Sequence, residues 1–216
     1  MNPQSPNIYL VDDDDAVRRS LGGLLLSRLN DCSVQTFASG EAFLEQARVE
    51  DAGVAVLDLR MQGMSGLDVF KALQDQRSPL VVVFLSGHGD IPVAVRAIQE
   101  GALGWLEKPC SEDRLIEVMQ QAKERAVAIA LERIARQDAL DLWARLTPRE
   151  RQVAQPLARG KSSKLIAQEL SQRDPSRPLD FRTVETHRAS IFSKLGVANS
   201  NGLLLFLGQH GLLDSA

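Results

Sequence analysis

The sequence predicts a doubly wound α/β domain with a five-stranded parallel sheet, joined by a long helix to a small all-α domain. Three observations predict it: five short runs rich in Val, Ile and Leu in the first half, helical apolar spacing between them, and helical pattern alone after Pro109. Apolar runs without alternation fit strands buried on both faces of a parallel sheet. Strands separated by helices fit a doubly wound order. A chain of 216 residues suits two small domains better than one large core.

The five runs are Ile8 to Val11, Val34 to Phe37, Val54 to Leu57, Leu80 to Leu85 and Leu103 to Leu106. Between the first two, Val17, Leu21, Leu24, Leu25 and Leu29 fall three and four apart, as on one face of a helix. Ser111, Glu112 and Asp113 supply a capping hydroxyl and two acids for the first turn of a fifth helix. Its stripe runs through Leu115, Met119, Ala122, Ala126 and Ile129, with no Gly or Pro before Pro148. Seam-like spacing lasts only about two heptads, so dimerisation through this helix and packing on the first domain both remain open. Thr147, Pro148 and Glu150 then form a helix start with a capping box. Further helices are expected near 161–170, 181–195 and 201–207. The expected domains are residues 1–122, a helical linker at 123–143, and residues 144–216.

No apolar run is long enough to span a bilayer, and Met1 to Pro6 lacks the regions of a signal peptide. Cys32 and Cys110 have no metal-ligand spacing. A cytoplasmic location without a membrane partner, and free thiols, are therefore expected. The net charge of −3 hides an asymmetry. Residues 1–119 carry 10 basic and 18 acidic side chains, residues 120–143 carry 4 of each, and residues 144–216 carry 11 basic and 6 acidic. A basic back end attracts phosphate backbones, whereas an acidic front does not.

In doubly wound folds the site lies at the carboxyl ends of the strands. Here those ends carry Asp12-Asp13-Asp14-Asp15, Asp58, Ser86-Gly87-His88-Gly89 and Lys108-Pro109. Converging carboxylates repel one another unless a hard cation joins them, and Mg²⁺ accepts such ligands while leaving positions for phosphate oxygens. An ionised Asp58 beside it is a competent nucleophile toward phosphorus. Ser86 and Lys108 would contact phosphoryl oxygens.

These residues resemble a response-regulator receiver, of flavodoxin-like fold. The resemblance rests on Leu10 to Asp14, Leu57 to Met61 with Met64-Ser65-Gly66, Leu85 to Asp90, and Gly101-Ala102 through Glu107-Lys108-Pro109. It implies that Asp58 accepts phosphoryl from a sensor histidine kinase. It further implies that Asp13, Asp58 and the Arg60 carbonyl hold Mg²⁺, with Asp12 acting through a coordinated water. Lys108-Pro109 would be cis, and the domain would catalyse only its own phosphotransfer and autodephosphorylation. Three positions depart from the family pattern: Gln62 stands where Pro is usual, Trp105 where the switching aromatic is Tyr or Phe, and Cys110 where Phe is common.

In the basic domain Val184, Ile191 and Leu195 make the core stripe of the helix at 181–195. A helix of this kind, with small, polar and basic side chains near its start, suits the major groove in a helix-turn-helix. Lys164, Arg182, Arg188 and Lys194 are candidates for phosphates, and Glu185, Thr186 and Ala189 for base edges. Thr183, His187 and Ser190 complete the candidate DNA-binding set.

Leu146 to Glu150, Lys164 to Ala167, Thr183 to His187 and Lys194 to Gly196 resemble the LuxR-type DNA-binding domain. Receiver plus this domain is the NarL/FixJ type of response regulator, nearest its FixJ branch. The resemblance implies promoter DNA and RNA polymerase as partners and a homodimer when phosphorylated. The turn at Ser171 to Asp180 is longer than usual by several residues and holds two prolines; loop extension costs little closure entropy. Asp180 is placed to cap the following helix.

Phosphorylation-gated, sequence-specific DNA binding that regulates transcription is the leading expectation. A Mg²⁺-dependent phosphohydrolase would need a substrate pocket, and the basic domain has no use in it. The remaining alternative is a phospho-regulated interaction adaptor with impaired DNA binding.

Overall fold

The computed structural model describes residues 5–87 and 91–213. His88, Gly89 and Asp90, placed above at the end of the fourth run, lie outside the described residues. The chain divides into two compact units, Met1–Glu132 and Arg133–Ala216.

In the first unit every apolar run is a strand, with bounds within one residue of the run: β1 (Asn7–Val11), β2 (Ser33–Phe37), β3 (Gly53–Asp58), β4 (Val81–Ser86) and β5 (Gly104–Glu107). Helices α1 (Asp15–Arg28), α2 (Gly40–Gln46), α3 (Gly66–Asp75) and α4 (Ile91–Gln99) alternate with them. The strands pair in parallel in the order β2-β1-β3-β4-β5. Winding therefore reverses between β1 and β3, and a crevice at that point is where such sheets bind ligands.

β3 and β4 are buried along their whole length, while the edge strands β2 and β5 expose residues. Side chains alternate between two cores, as the two-residue period of a strand requires. Ile8, Leu10, Val54, Val56, Val83 and Leu85 meet Leu25 of α1 on one face. Tyr9, Val11, Leu57, Val82 and Phe84 meet Phe43 of α2 and Val69, Phe70 and Leu73 of α3 on the other.

Helix α5 is continuous over 33 residues, Glu112–Ala144. Leu115, Met119, Ala122 and Ala126 are buried in the first core, so this part of its apolar stripe packs on the sheet. Farther along, Leu131 and Ile134 are exposed.

The second unit packs α6 (Pro148–Ala158), α7 (Ser163–Arg173), α8 (Phe181–Leu195) and α9 (Ser200–Gln209) around Val153, Leu157, Ile166, Leu170, Val184, Ile191, Leu195 and Leu203. The Thr147 capping box forms as expected, with Pro148 in the first turn. Asp180 caps α8, accepting from the Thr183 amide at 2.7 Å. The long turn between α7 and α8 is closed at its base, where the Ser171 hydroxyl accepts from the Leu179 amide at 2.8 Å and donates to the Leu179 carbonyl at 3.2 Å. Across it, the Arg149 guanidinium donates to the Arg177 carbonyl at 2.7 Å.

Candidate functional site

Strand register assembles the site. Val11 lies opposite Leu57, Asp58 opposite Leu85 and Ser86 opposite Glu107. Asp12, Asp58, Ser86 and Lys108 therefore step across the carboxyl edge of four adjacent strands. Asp12 and Ser86 are buried and Asp58 is 7 % exposed. The Lys108 ammonium sits between the two carboxylates, 2.6 Å from Asp12 Oδ2 and 3.0 Å from Asp58 Oδ1. Its backbone amide donates to the Ser86 carbonyl at 2.6 Å, which fixes the chain as it leaves β5. The peptide between Lys108 and Pro109 is cis.

The electrostatics follow from this packing. Burial pushes the Asp58 carboxyl above the usual carboxylate range. Hydrogen bonding and charge from Lys108 pull it back, while Asp12 and Asp13 add to the rise. Burial alone would lower the Lys108 ammonium, but bonds to Asp12 and Asp58 outweigh it, and its net shift is upward. Lys108 thus stays charged and favours the ionised form of Asp58.

Asp12, Asp13 and Asp58 each offer an oxygen within 4.8 Å of the others, a spacing that one small cation spans. All-carboxylate donors suit a hard ion such as Mg²⁺ rather than a soft one. The Ser86 hydroxyl oxygen is buried with no hydrogen-bond partner. A buried hydroxyl left unsatisfied costs free energy, and its place at the end of β4 suits an incoming oxygen-rich group. The residues present fit the cation and a phosphoryl group.

The loop from Asp58 to α3 is held close. Gly66 lies against the Asp58 backbone: a Cβ there would fall 2.3 Å from the Asp58 carbonyl oxygen. The Gly66 amide donates to the Leu59 carbonyl at 3.1 Å, and Ser65 and Asp68 form a capping box. Trp105 of β5 is half-buried, its ring 5.4 Å from that of Phe84. Cys110 packs half-buried against the first core.

In the second unit, α8 buries Val184, Ile191 and Leu195, the stripe expected. Arg182, Thr183, Glu185, Thr186 and Ala189 are exposed on it, as is Lys164 on α7, while His187 and Arg188 are half-buried. Some candidates are engaged within the domain. Lys194 pairs with Glu150, Ser190 donates to the same carboxylate at 2.6 Å, and Ser163 donates to Glu185. The Arg188 guanidinium lies over the Phe192 ring, 5.4 Å from its centroid.

Residues 8–120 match the response regulator receiver domain, and residues 144–207 match the bacterial regulatory proteins of the luxR family. The chain belongs to the two-component response regulators. This response regulator is 36 % identical over 208 residues to the transcriptional regulatory protein FixJ of Bradyrhizobium diazoefficiens, covering 96 % of the one and 97 % of the other. It is 38 % identical over 188 residues to the tetrathionate response regulatory protein TtrR of Salmonella typhimurium, covering 87 % and 85 %. Among solved structures it is similar to the response regulator StyR, with a TM-score of 0.80 and 36 % identity over 95 % of this chain and 99 % of that one. Full-length FixJ from B. japonicum gives a TM-score of 0.55 at 36 % identity, covering 97 % and 98 %. The response regulator therefore couples a receiver to a LuxR-type DNA-binding domain, with a histidine kinase and DNA as partners and transcription as its target. No observation favours the adaptor alternative. Receiver domains generally bind Mg²⁺ at an acidic pocket, and this chain has an aspartate cluster at the sheet edge. Among the described residues no helix is long and apolar enough to cross a membrane.

Three side-chain contacts escaped the sequence reading. Asp14 caps α1, accepting from the Ala16 amide at 2.8 Å. Glu41 accepts from the Met64 amide at 2.9 Å and so reaches the loop after Asp58. Glu150, read only as a cap, is buried and binds α8. A local motif announces the first; separations of 23 and 44 residues leave the other two without any sequence signal.

Proposed function

We propose that Asp58 is the residue phosphorylated by the histidine kinase and that its phosphorylation controls dimerisation and DNA binding. The observation that carries this is the half-buried Lys108 ammonium paired with the buried Asp58 and Asp12 carboxylates beside the unpartnered Ser86 hydroxyl. An Asp58 carboxylate oxygen attacks phosphorus, the bond from phosphorus to the kinase imidazole nitrogen breaks, and its electron pair leaves with the imidazole. Lys108 holds Asp58 ionised for the attack, and its ammonium faces the oxygens that gain charge. Ser86 donates its hydroxyl to one of them. Asp13, Asp58 and the Arg60 carbonyl would hold Mg²⁺, which when bound supplies positive charge to the transferring group. Asp12 would act through a water on that ion, and the same pocket would carry the slower autodephosphorylation. The chain has no other catalytic role in this reading.

Trp105 is the aromatic that responds to the filled pocket, since it sits on β5, the strand that leads into Lys108, with its ring against Phe84. Phosphorylation shifts a pre-existing equilibrium toward a homodimer. DNA contact falls to Lys164, Arg182, Thr183, Glu185, Thr186, His187, Arg188 and Ala189, with Ser190 and Lys194 tied to Glu150. RNA polymerase is the further partner, and the cytoplasm is the location. The domain limits in this reading are 122, inside α5, and 144, at its end.

The test is a DNA titration with and without Mg²⁺ and a small phosphoryl donor, alongside intact-mass measurement. One added phosphoryl group and tighter, sequence-selective binding, both lost in Asp58→Ala, support the reading. Equal binding by Asp58→Ala and phosphorylated wild type sinks the coupling.

A further inference from the structure

Residue 62 has a backbone N–H, which a proline at this position would lack. That N–H donates to Asp13 Oδ2 at 3.0 Å. Asp13 is itself exposed, so nothing buries its side chain into one rotamer. Left alone, its carboxylate would sample several orientations at the rim of the pocket.

The rest of the same loop is anchored independently. Gly63 has φ +78, the left-handed region that glycine adopts without strain. The next amide, Met64, is held by Glu41 from α2 at 2.9 Å, and Gly66 closes onto Leu59. Gln62 therefore belongs to a frame held by Leu59 and Glu41, and its N–H presents a fixed donor to an exposed acid. A carboxylate has lone pairs for about four partners. Oδ2 taken by Gln62 leaves Oδ1 for the cation. Arg60, whose carbonyl is the other loop ligand in the proposed site, lies two residues before Gln62 on the same segment.

We infer that the Gln62 backbone amide is a positioning group for Mg²⁺: it orients Asp13 toward the pocket and sets it relative to the Arg60 carbonyl before the ion arrives. The inference rests on the Mg²⁺ site proposed above. Hydrogen bonds to ligating carboxylates of this kind change metal affinity by roughly 10- to 100-fold when removed. The side chain of Gln62 has no part in it; the main chain acts.

The experiment is calorimetric titration of the full chain with Mg²⁺ alone, comparing wild type, Gln62→Ala and Gln62→Pro. Gln62→Ala keeps the N–H and is expected to bind within about twofold of wild type. Gln62→Pro removes it and is expected to bind about tenfold more weakly. Binding by Gln62→Pro as tight as wild type, or tighter, overturns the inference, because the amide would then be idle or in competition with the ion. A large loss in Gln62→Ala also overturns it, by moving the effect to the side chain. Absence of Mg²⁺ binding in wild type removes the cation site itself, a different failure from loss of the Gln62 effect.

Proline also restrains Met61, so amide exchange in the wild type supplies a second readout that needs no folded variant at residue 62. The Gln62 amide should exchange slowly without Mg²⁺ and at least tenfold faster in Asp13→Ala. Fast exchange in the wild type overturns the inference.

Discussion

Lys194 of α8 reaches Glu150 in the first turn of α6, with its ammonium 2.8 and 2.7 Å from the two carboxylate oxygens. The carboxylate also accepts from Ser190 of α8 at 2.6 Å and from the Thr147 amide at 2.7 Å. One buried acid therefore caps α6 and ties down the helix that carries most of the candidate DNA contacts. A buried acid with so many donors is satisfied, whereas its partners are stranded if it is removed.

Glu150→Ala is expected to lower the stability of the C-terminal unit by about 2–3 kcal/mol, combining a lost cap with a partner ammonium left beside the core. Lys194 is 35 % exposed, so water recovers part of its loss. Urea unfolding of wild type and variant measures it; a difference below about 0.5 kcal/mol would show that the network is ornamental.

Acid should expose the same contact. Burial alone would raise the Glu150 carboxyl, but bonds from Lys194, Ser190 and Thr147 prevail and bring it from 4.5 down to about 2. A depressed folded-state value means that the unfolded chain binds the extra proton first as pH falls. The stabilisation is complete above pH 4.5 and disappears as pH drops toward 2. Glu150→Gln, which has no such proton, should show a flatter stability profile through that window. Parallel profiles would refute the assignment.

Lys108→Ala leaves Asp12 and Asp58 facing each other at the sheet edge without their shared cation. A loss of about 2 kcal/mol is expected for the receiver. Mg²⁺ should recover more of the melting temperature in the variant than it adds to wild type, since the ion then replaces the positive charge that Lys108 supplied. Equal Mg²⁺ shifts in thermal scans would count against a shared pocket.

A methyl group at residue 66 would press on the Asp58 carbonyl. Gly66→Ala should cost on the order of 2 kcal/mol and slow phosphoryl uptake, because the strand end must move to make room. Phosphorylation kinetics together with a melt would separate the two effects. Wild-type values for both would mean that the loop yields freely.

DNA binding should distinguish the exposed cations from the engaged one. Arg182→Ala is expected to reduce the slope of log affinity against log salt by about 1, as loss of one phosphate contact does. Lys194→Ala should instead lower stability, with little change in that slope. The reverse pattern would place the phosphate contact on Lys194.

The fold was legible because burial imposes composition. Strands β1, β3 and β4 lie inside the sheet, so their residues read as unbroken apolar runs, and even the edge strands kept enough of the pattern. The carboxyl-edge residues followed from strand ends alone, since Asp12, Asp58, Ser86 and Lys108 each come directly at or after the last residues of a run. Capping was equally local, as Thr147 and Asp180 show. What escaped was contact at a distance: nothing near Glu41 announces Met64, and nothing near Glu150 announces Lys194. The Gln62 amide was hidden for another reason. A sequence names side chains, and the group that meets Asp13 belongs to the main chain.

The turn between α7 and α8 is pinned where it begins and ends, by Ser171 on Leu179. Helices joined across such a clasp keep their geometry whatever lies beyond it. Residues 174–178, beyond the end of α7, thus form an appendix that can lengthen, shrink or diversify at the cost of the Arg149 bond to the Arg177 carbonyl, while the helices on either side hold station. A graft of foreign residues there should be tolerated, and a change at Ser171 should not.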